Sequence, residues 1–249
     1  MKLNNIDPKF ISKANPRIGL IALGSDFRIE KDFNNVIYGK DIDLYVNRIH
    51  CYNTLTNETL AKMADDITEV TSDILPDQKI DCVAYGCTSG TVAAGYDVIE
   101  KNIKLSKPEA KVTTPITSAI KALKAFNINK ISVFTPYTKS INDSVLNYFK
   151  KENITVNELT YFDIESDLDI GKVDEKYLIE VLSKINLEDS EALFVSCTAL
   201  PVLSIIEKLE KKLNKIVLSS NQTLIWDSLN LIGYKDDIEG FGKLFKIST

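Results

Sequence analysis

Two stretches, Tyr85-Gly86-Cys87-Thr88-Ser89-Gly90-Thr91 and Val195-Ser196-Cys197-Thr198-Ala199-Leu200-Pro201, decide how this sequence is read. Each follows a short run of apolar, strand-favouring residues and precedes a stretch of helical period, which places a Cys-Thr pair at the C-terminal end of a strand. The two cysteines stand 197 − 87 = 110 positions apart. Outward from the first, strands are predicted at residues 18–23, 45–51, 81–85 and 111–114; outward from the second, at 131–135, 155–159, 192–196 and 215–219. Helices fill the gaps, among them 57–75, where Leu60, Met63, Ala64, Ile67, Val70 and Ile74 recur at three- and four-residue spacing, then 141–151, 175–185 and 202–213. The first strands of the two series are offset by 131 − 18 = 113 positions and the third by 192 − 81 = 111. Such a constant offset marks a duplicated βα unit.

The length, 249 residues, suits one large domain or two small ones at about 150 residues each. Hydrophobic content of 44% and charged content of 26% are those of a folded globular protein. With 30 Lys and Arg against 35 Asp and Glu, the net charge of −5 provides no basic surface for nucleic acid. Residues 1–16 lack the apolar core of a signal peptide and no run approaches a membrane span, so a cytoplasmic protein with no membrane contact is expected.

A single histidine, His50, removes most His-based catalytic and metal arrangements, and it is read as structural. The four cysteines, Cys51, Cys82, Cys87 and Cys197, form no C-x-x-C pair for zinc or redox work. Cys51 and Cys82 sit inside apolar strand-like runs and are read as buried packing residues. Cys87 and Cys197 differ. Open parallel sheets bind ligands beyond the carboxyl ends of their strands. A thiol there, at the N-terminal end of a helix, has unpaired backbone N–H groups that favour thiolate over thiol. Gly90 would let a ligand approach the backbone, and Pro201 suits a first helical turn.

If the halves face each other across a pseudo-twofold axis, Cys87 and Cys197 flank one cleft. Two opposed thiols suit chemistry at a carbon approached from both faces. In racemisation a thiolate removes a proton α to a carboxylate and the opposite thiol returns another. In cis–trans isomerisation a thiolate adds to an activated double bond, the adduct rotates, and elimination follows. Both build up charge on a carboxylate, which Thr88, Ser89 and Thr198 are placed to stabilise. Ser25 and Asp26, after the first strand, and Tyr137, after its counterpart, complete the candidate substrate-binding set. Asp26 could pair with a cation on the substrate or polarise a thiol; Ser25 and Asp26 could equally be helix caps, and Tyr137 a packed tyrosine.

Together with 17–23, 113–117, 133–137 and Ser220-Asn221-Gln222, the two Cys-Thr stretches resemble the aspartate/glutamate racemase superfamily. Within it the sequence is similar to the branch of maleate cis–trans isomerases, arylmalonate decarboxylases and ectoine-utilisation proteins called EutA. The resemblance implies an α/β fold of two pseudo-twofold-related Rossmann-like domains, each a four-stranded parallel sheet flanked by helices, with the active site in the interdomain cleft. The domains are expected at 1–114 plus 217–249 and at 115–216. The resemblance further implies Cys87 and Cys197 as the catalytic pair, no cofactor, no metal and a small carboxylate substrate; a homodimer or larger homo-oligomer is compatible with it. Arylmalonate decarboxylases lack the first cysteine, so Cys87 argues for isomerisation or racemisation; a decarboxylase using Cys197 alone and a non-catalytic carboxylate-binding protein are the alternatives. Maleate isomerases carry Asn at the position of Asp26 and a second Asn in the region that reads Ser166-Asp167-Leu168-Asp169 here. An aspartate facing a dicarboxylate is repulsive unless protonated or turned away, which leans toward a substrate bearing a positive group.

Overall fold

A computed structural model describes residues 3–247; the outermost ends of the expected first domain, 1–2 and 248–249, lie outside the described residues. Among the described residues eight strands form two sheets. β1 (Arg17–Leu23), β2 (Asp43–Ile49), β3 (Cys82–Tyr85) and β4 (Lys111–Thr113) make the first, in the order β2-β1-β3-β4. β5 (Lys130–Thr135), β6 (Thr155–Tyr161), β7 (Ala192–Val195) and β8 (Ile216–Ser219) make the second, in the order β6-β5-β7-β8. Every pairing is parallel and the two orders are the same, so the duplication read from the strand offsets is present in the topology.

The central strands are apolar because both faces are covered by helices: β3 and β7 are buried along their whole length. In each sheet the order reverses between the first and third strands, which opens a crevice at their carboxyl ends. The backbone enters both crevices in the same way. Gly86 N donates to Ile21 O at 2.8 Å, and Ser196 N donates to Phe134 O at 2.8 Å, so each residue before a motif cysteine is tied to the neighbouring strand.

Three sequence expectations are corrected. The predicted helix 57–75 is three pieces, Asn57–Lys62, a 3-10 turn Met63–Asp66 and Ile67–Ser72. The Asn102 side chain donates to Ala64 O at 2.8 Å and its backbone carbonyl accepts from Thr68 Oγ1 at 3.0 Å, which tightens the chain in mid-run. The predicted helix 202–213 begins as a 3-10 turn at Leu203–Ile205, and Pro201 stands in the bend before it. The strand predicted at 45–51 stops pairing at Ile49, leaving His50 and Cys51 beyond the sheet. The strand expected at 215–219 is β8, which pairs with β7 through Val217, Leu218 and Ser219.

From Ser220 the chain returns to the first half: helix Ser220–Leu231 packs against β3, β4 and helix Ile29–Ile37. Ten of its residues are buried, and it is wedged between the halves, also touching helix Pro115–Ala125 and β8. Among the described residues no helix is long and apolar enough to cross a membrane.

Candidate active site

Cys87 caps helix Thr88–Ala94 with its sulfur: Gly90 N donates to Cys87 Sγ at 3.2 Å, and Ser89 Oγ lies 3.9 Å from it. Gly90 is required here for a reason other than ligand approach. A Cβ at this position would lie 2.8 Å from Cys87 Sγ and 2.9 Å from Tyr85 Oη, so the missing side chain is what lets the sulfur reach the N–H. Cys197 is held differently. Its φ of +101° is a backbone conformation that costs a non-glycine residue about 1–3 kcal/mol, a strain typical of functional turns. Two hydrogen bonds keep the turn in place: Cys197 N donates to Ser220 Oγ at 3.0 Å, and the Ala199 backbone N–H donates to the Cys197 sulfur.

Ser220 also receives the Thr88 hydroxyl at 2.8 Å. One oxygen therefore ties the turn of Cys197 to the residue following Cys87. A second tie crosses the same seam, where Thr198 Oγ1 donates to Gly86 O at 3.3 Å. The hydroxyls of Thr88 and Thr198, expected to serve the substrate, are thus committed to holding the two turns together. Ser89 carries the hydroxyl left nearest Cys87. Tyr137 is buried, accepts from Ser196 Oγ at 3.3 Å and lies against Cys197.

Asp26 satisfies the cap reading with only one of its oxygens. Oδ1 accepts from Arg28 N at 2.7 Å and Ile29 N at 3.0 Å, at the start of helix Ile29–Ile37, and the Thr198 hydroxyl lies against the same carboxyl. Ser25 Oγ donates to Asp167 Oδ2 at 2.5 Å, joining the loop after β1 to the segment after β6. Arg28 donates to Gly171 O at 3.0 Å and Leu55 N donates to Glu165 O at 3.0 Å, so the halves are also fastened along the rim.

Three residues of the site, Asp167, Cys51 and Asp32, were missed or misplaced by the sequence reading. Asp167 is 3% exposed beside Ser25 and acts on both motif thiols. Cys51, read as a strand residue, is half-buried against Ser25 and near Asp167. Asp32, in the first turn of helix Ile29–Ile37, accepts from Asn221 Nδ2 at 2.7 Å, and the same nitrogen donates to Thr198 O at 2.8 Å. His50 is exposed and sits edge-on to Tyr52 with ring centroids 4.6 Å apart; no hydrogen bond joins it to the site.

Electrostatics here is governed by burial. Cys87 and Cys197 are 3% and 6% exposed, and loss of solvation pushes both thiols well above the usual range, outweighing the backbone N–H groups that favour thiolate. The expectation that the strand-end position by itself favours thiolate is therefore reversed in the closed site. The carboxylates Asp167 and Asp26 add to the rise at Cys197. Burial also raises Asp26, takes Asp32 to about 7 and Asp167 to about 6, and takes Cys51 to about 11.

A doubled parallel α/β fold, with a thiol-bearing turn from each half brought to one seam, is the architecture of the aspartate/glutamate racemase-like superfamily. The chain belongs to its arylmalonate decarboxylase family, which matches over residues 34–245. It is 25% identical to the maleate isomerase of Geobacillus stearothermophilus over 242 residues, 92% of this chain and 96% of that one. It is 22% identical to the maleate isomerase of Alcaligenes faecalis over 92% of this chain and 95% of that one. Among solved structures it resembles a cysteine mutant of the Nocardia farcinica maleate cis–trans isomerase with a covalently bound succinylcysteine intermediate. That match has a TM-score of 0.86 at 18% identity, over 94% of this chain and 99% of that one.

Proposed function

We propose that this enzyme is a cofactor-independent isomerase or racemase of a small carboxylate, with Cys87 and Cys197 acting on the substrate from opposite sides. The observation that carries the reading is the shared Ser220 hydroxyl, which fixes the Cys197 turn and the Thr88 side chain to one point. In a proton-transfer reaction, the thiolate of one cysteine takes the Cα proton and becomes a thiol. The electron pair passes into the carboxylate as an enediolate, and the opposite thiol gives its proton to the other face and becomes the thiolate. In a cis–trans reaction, a thiolate forms a C–S bond to one alkene carbon and the electron pair moves into the adjacent carboxylate. The new single bond rotates, and cleavage of the C–S bond restores the alkene. The succinylcysteine held by the Nocardia farcinica relative is an adduct of this second kind, which supports a nucleophilic sulfur in this family.

Both routes build negative charge on the substrate carboxylate, which Ser89 Oγ, 3.9 Å from Cys87 Sγ, is placed to stabilise. Tyr137, whose phenol burial keeps neutral, can donate to the same region or to Cys197. Burial favours the thiol form of both cysteines, so a substrate that brings donors or positive charge next to a sulfur favours its thiolate. A decarboxylase reading follows from the family match and requires only one proton donor, Cys197.

Proton NMR in D2O over a panel of dicarboxylates, arylmalonates and amino acids tests the reading. Deuterium wash-in at Cα or interconversion of alkene isomers, abolished in both Cys87→Ser and Cys197→Ser, supports it. Release of CO2 that persists in Cys87→Ser and stops in Cys197→Ser establishes the decarboxylase instead.

A further inference from the structure

The two motif sulfurs receive their backbone N–H donors from differently built places. At Cys87 the donor is Gly90 N, held within helix Thr88–Ala94, which the cysteine itself caps. At Cys197 no helix follows directly: residues 198–202 are turn and bend, and the 3-10 turn begins only at Leu203. The Ala199 N–H that donates to the Cys197 sulfur therefore has no helix of its own to aim it. Something outside the turn must hold the backbone there.

That N–H belongs to the peptide unit joining Thr198 to Ala199, and the carbonyl of the same unit accepts from Asn221 Nδ2 at 2.8 Å. A peptide unit is planar, so fixing its oxygen fixes the direction of its hydrogen. Asn221 is fixed in turn. Its second amide hydrogen goes to Asp32 Oδ2 at 2.7 Å, on helix Ile29–Ile37. A carbonyl oxygen only accepts, so the amide cannot turn over without losing Thr198 O. Asn221 is 2% exposed and its own Oδ1 has no hydrogen bond. A buried acceptor without a donor costs stability, and this side chain keeps that cost while both of its hydrogens are used. The first half has no equivalent. The helix after β4 begins Pro115-Ile116-Thr117, and its capping hydroxyls, Thr114 and Thr117, bond to each other at 2.9 Å.

We infer that Asn221, anchored by Asp32, is a positioning residue for Cys197: it holds the Thr198–Ala199 peptide in the orientation that gives the Ala199 N–H to the sulfur. The inference rests on the reading of Cys197 as a working thiol and adds the side chains that set its donor. An N–H aimed at a sulfur favours thiolate over thiol, and a hydrogen bond received at the carbonyl of the same peptide strengthens that N–H as a donor. Against the burial that favours the thiol at Cys197, this peptide is the backbone group working the other way. The part played by Asp32 is mechanical: its oxygen gives the second amide hydrogen a fixed partner. The turn of Cys197, in the second half, is thereby aimed from a helix of the first.

The test compares Asn221→Ala, Asp32→Ala and Asp32→Asn with the wild type, with circular dichroism and thermal melting to check the fold. The readout is the ratio of the rates at which iodoacetamide alkylates Cys197 and Cys87 in the same molecule at fixed pH, followed by peptide mass spectrometry. Opening of the closed site changes both rates, so the ratio isolates the donor at Cys197. The expected ratio falls about 10-fold in Asn221→Ala, equivalent to about one pH unit in the thiol. It falls by less in Asp32→Ala and stays at the wild-type value in Asp32→Asn, which keeps an oxygen for Asn221. On whichever panel acid the wild type converts, kcat follows the ratio and KM changes little. An unchanged ratio in folded Asn221→Ala overturns the inference, even where Tm falls. Equal changes in Asp32→Ala and Asp32→Asn also overturn it, since they would report the charge of Asp32 and not its hold on Asn221. Where Asn221→Ala does not fold, the two Asp32 variants decide alone. The expected ratios with no turnover of any acid by the wild type support the positioning and overturn the two-thiol function; turnover lost in Cys197→Ser with unchanged ratios does the reverse.

Discussion

Cys197 N donates to Ser220 Oγ across 3.0 Å, and this bond holds a cysteine whose φ of +101° is unfavourable for any side chain with a Cβ. Because the same oxygen accepts from Thr88 at 2.8 Å, the positions of both motif turns depend on it. In Ser220→Ala the Cys197 N–H and the Thr88 hydroxyl lose their partner inside the protein. The expected outcome is a fall in kcat of about 100-fold from displacement of the thiols, with KM little changed, measured by steady-state kinetics. One unpaired buried group costs about 1–3 kcal/mol, which lowers Tm by several degrees, at about 2–4 °C per kcal/mol for a chain of this size.

Gly90→Ala tests the seat of the other sulfur. The added methyl lies 2.8 Å from Cys87 Sγ and must move it off Gly90 N. Activity is expected to fall by about 100-fold in a protein that still melts cooperatively. The rate of alkylation of Cys87 by iodoacetamide, followed by mass spectrometry, should change together with activity.

Tyr137→Phe removes the hydroxyl that accepts from Ser196 and adjoins Cys197. Loss of one neutral donor from a buried reacting site is worth about 100- to 1000-fold in kcat. A packed, purely structural tyrosine would instead leave kcat intact and lower only Tm.

The carboxylates give a pH dependence of stability with a definite sign. Asp32 titrates near 7 in the folded protein against 3.8 in an unfolded chain, so between these values the folded state holds the extra proton. Its contribution is most favourable below pH 3.8 and is lost as pH rises through about 7. Asp32→Asn keeps an oxygen to accept from Asn221 and has no charge to bury. Its Tm should equal the wild-type value near pH 4 and exceed it by a few degrees at pH 8, in melts across that range.

The strands and both motif cysteines were legible in the sequence because they depend on local pattern. Ile- and Val-rich runs mark β3 and β7, and the Cys-Thr pair repeats at the same place in both halves. What was not legible comes from distant chain. Ser220, Asn221 and Asp32 reach the seam from two helices, and nothing local to them signals the oxygen of Thr198 or the N–H of Cys197. Thr88 and Thr198 were recognised as residues of the site, but their hydroxyls turn to Ser220 and Gly86, a choice fixed by packing between the halves. Cys51 was misplaced because the apolar run around it continues past Ile49, where pairing with Leu23 ends. The ionisation of the thiols followed burial, which depends on the closed arrangement of both halves and cannot be read from a strand-end position.

The central claim is that two thiols, one from each half, share the work on one carbon. Its most direct test is solvent deuterium exchange by Cys87→Ser and Cys197→Ser, each measured beside the wild type on whichever panel acid the wild type converts. The account predicts that each single substitution reduces interconversion by at least about 1000-fold while Tm changes little. Interconversion at the wild-type rate in either folded variant would contradict it.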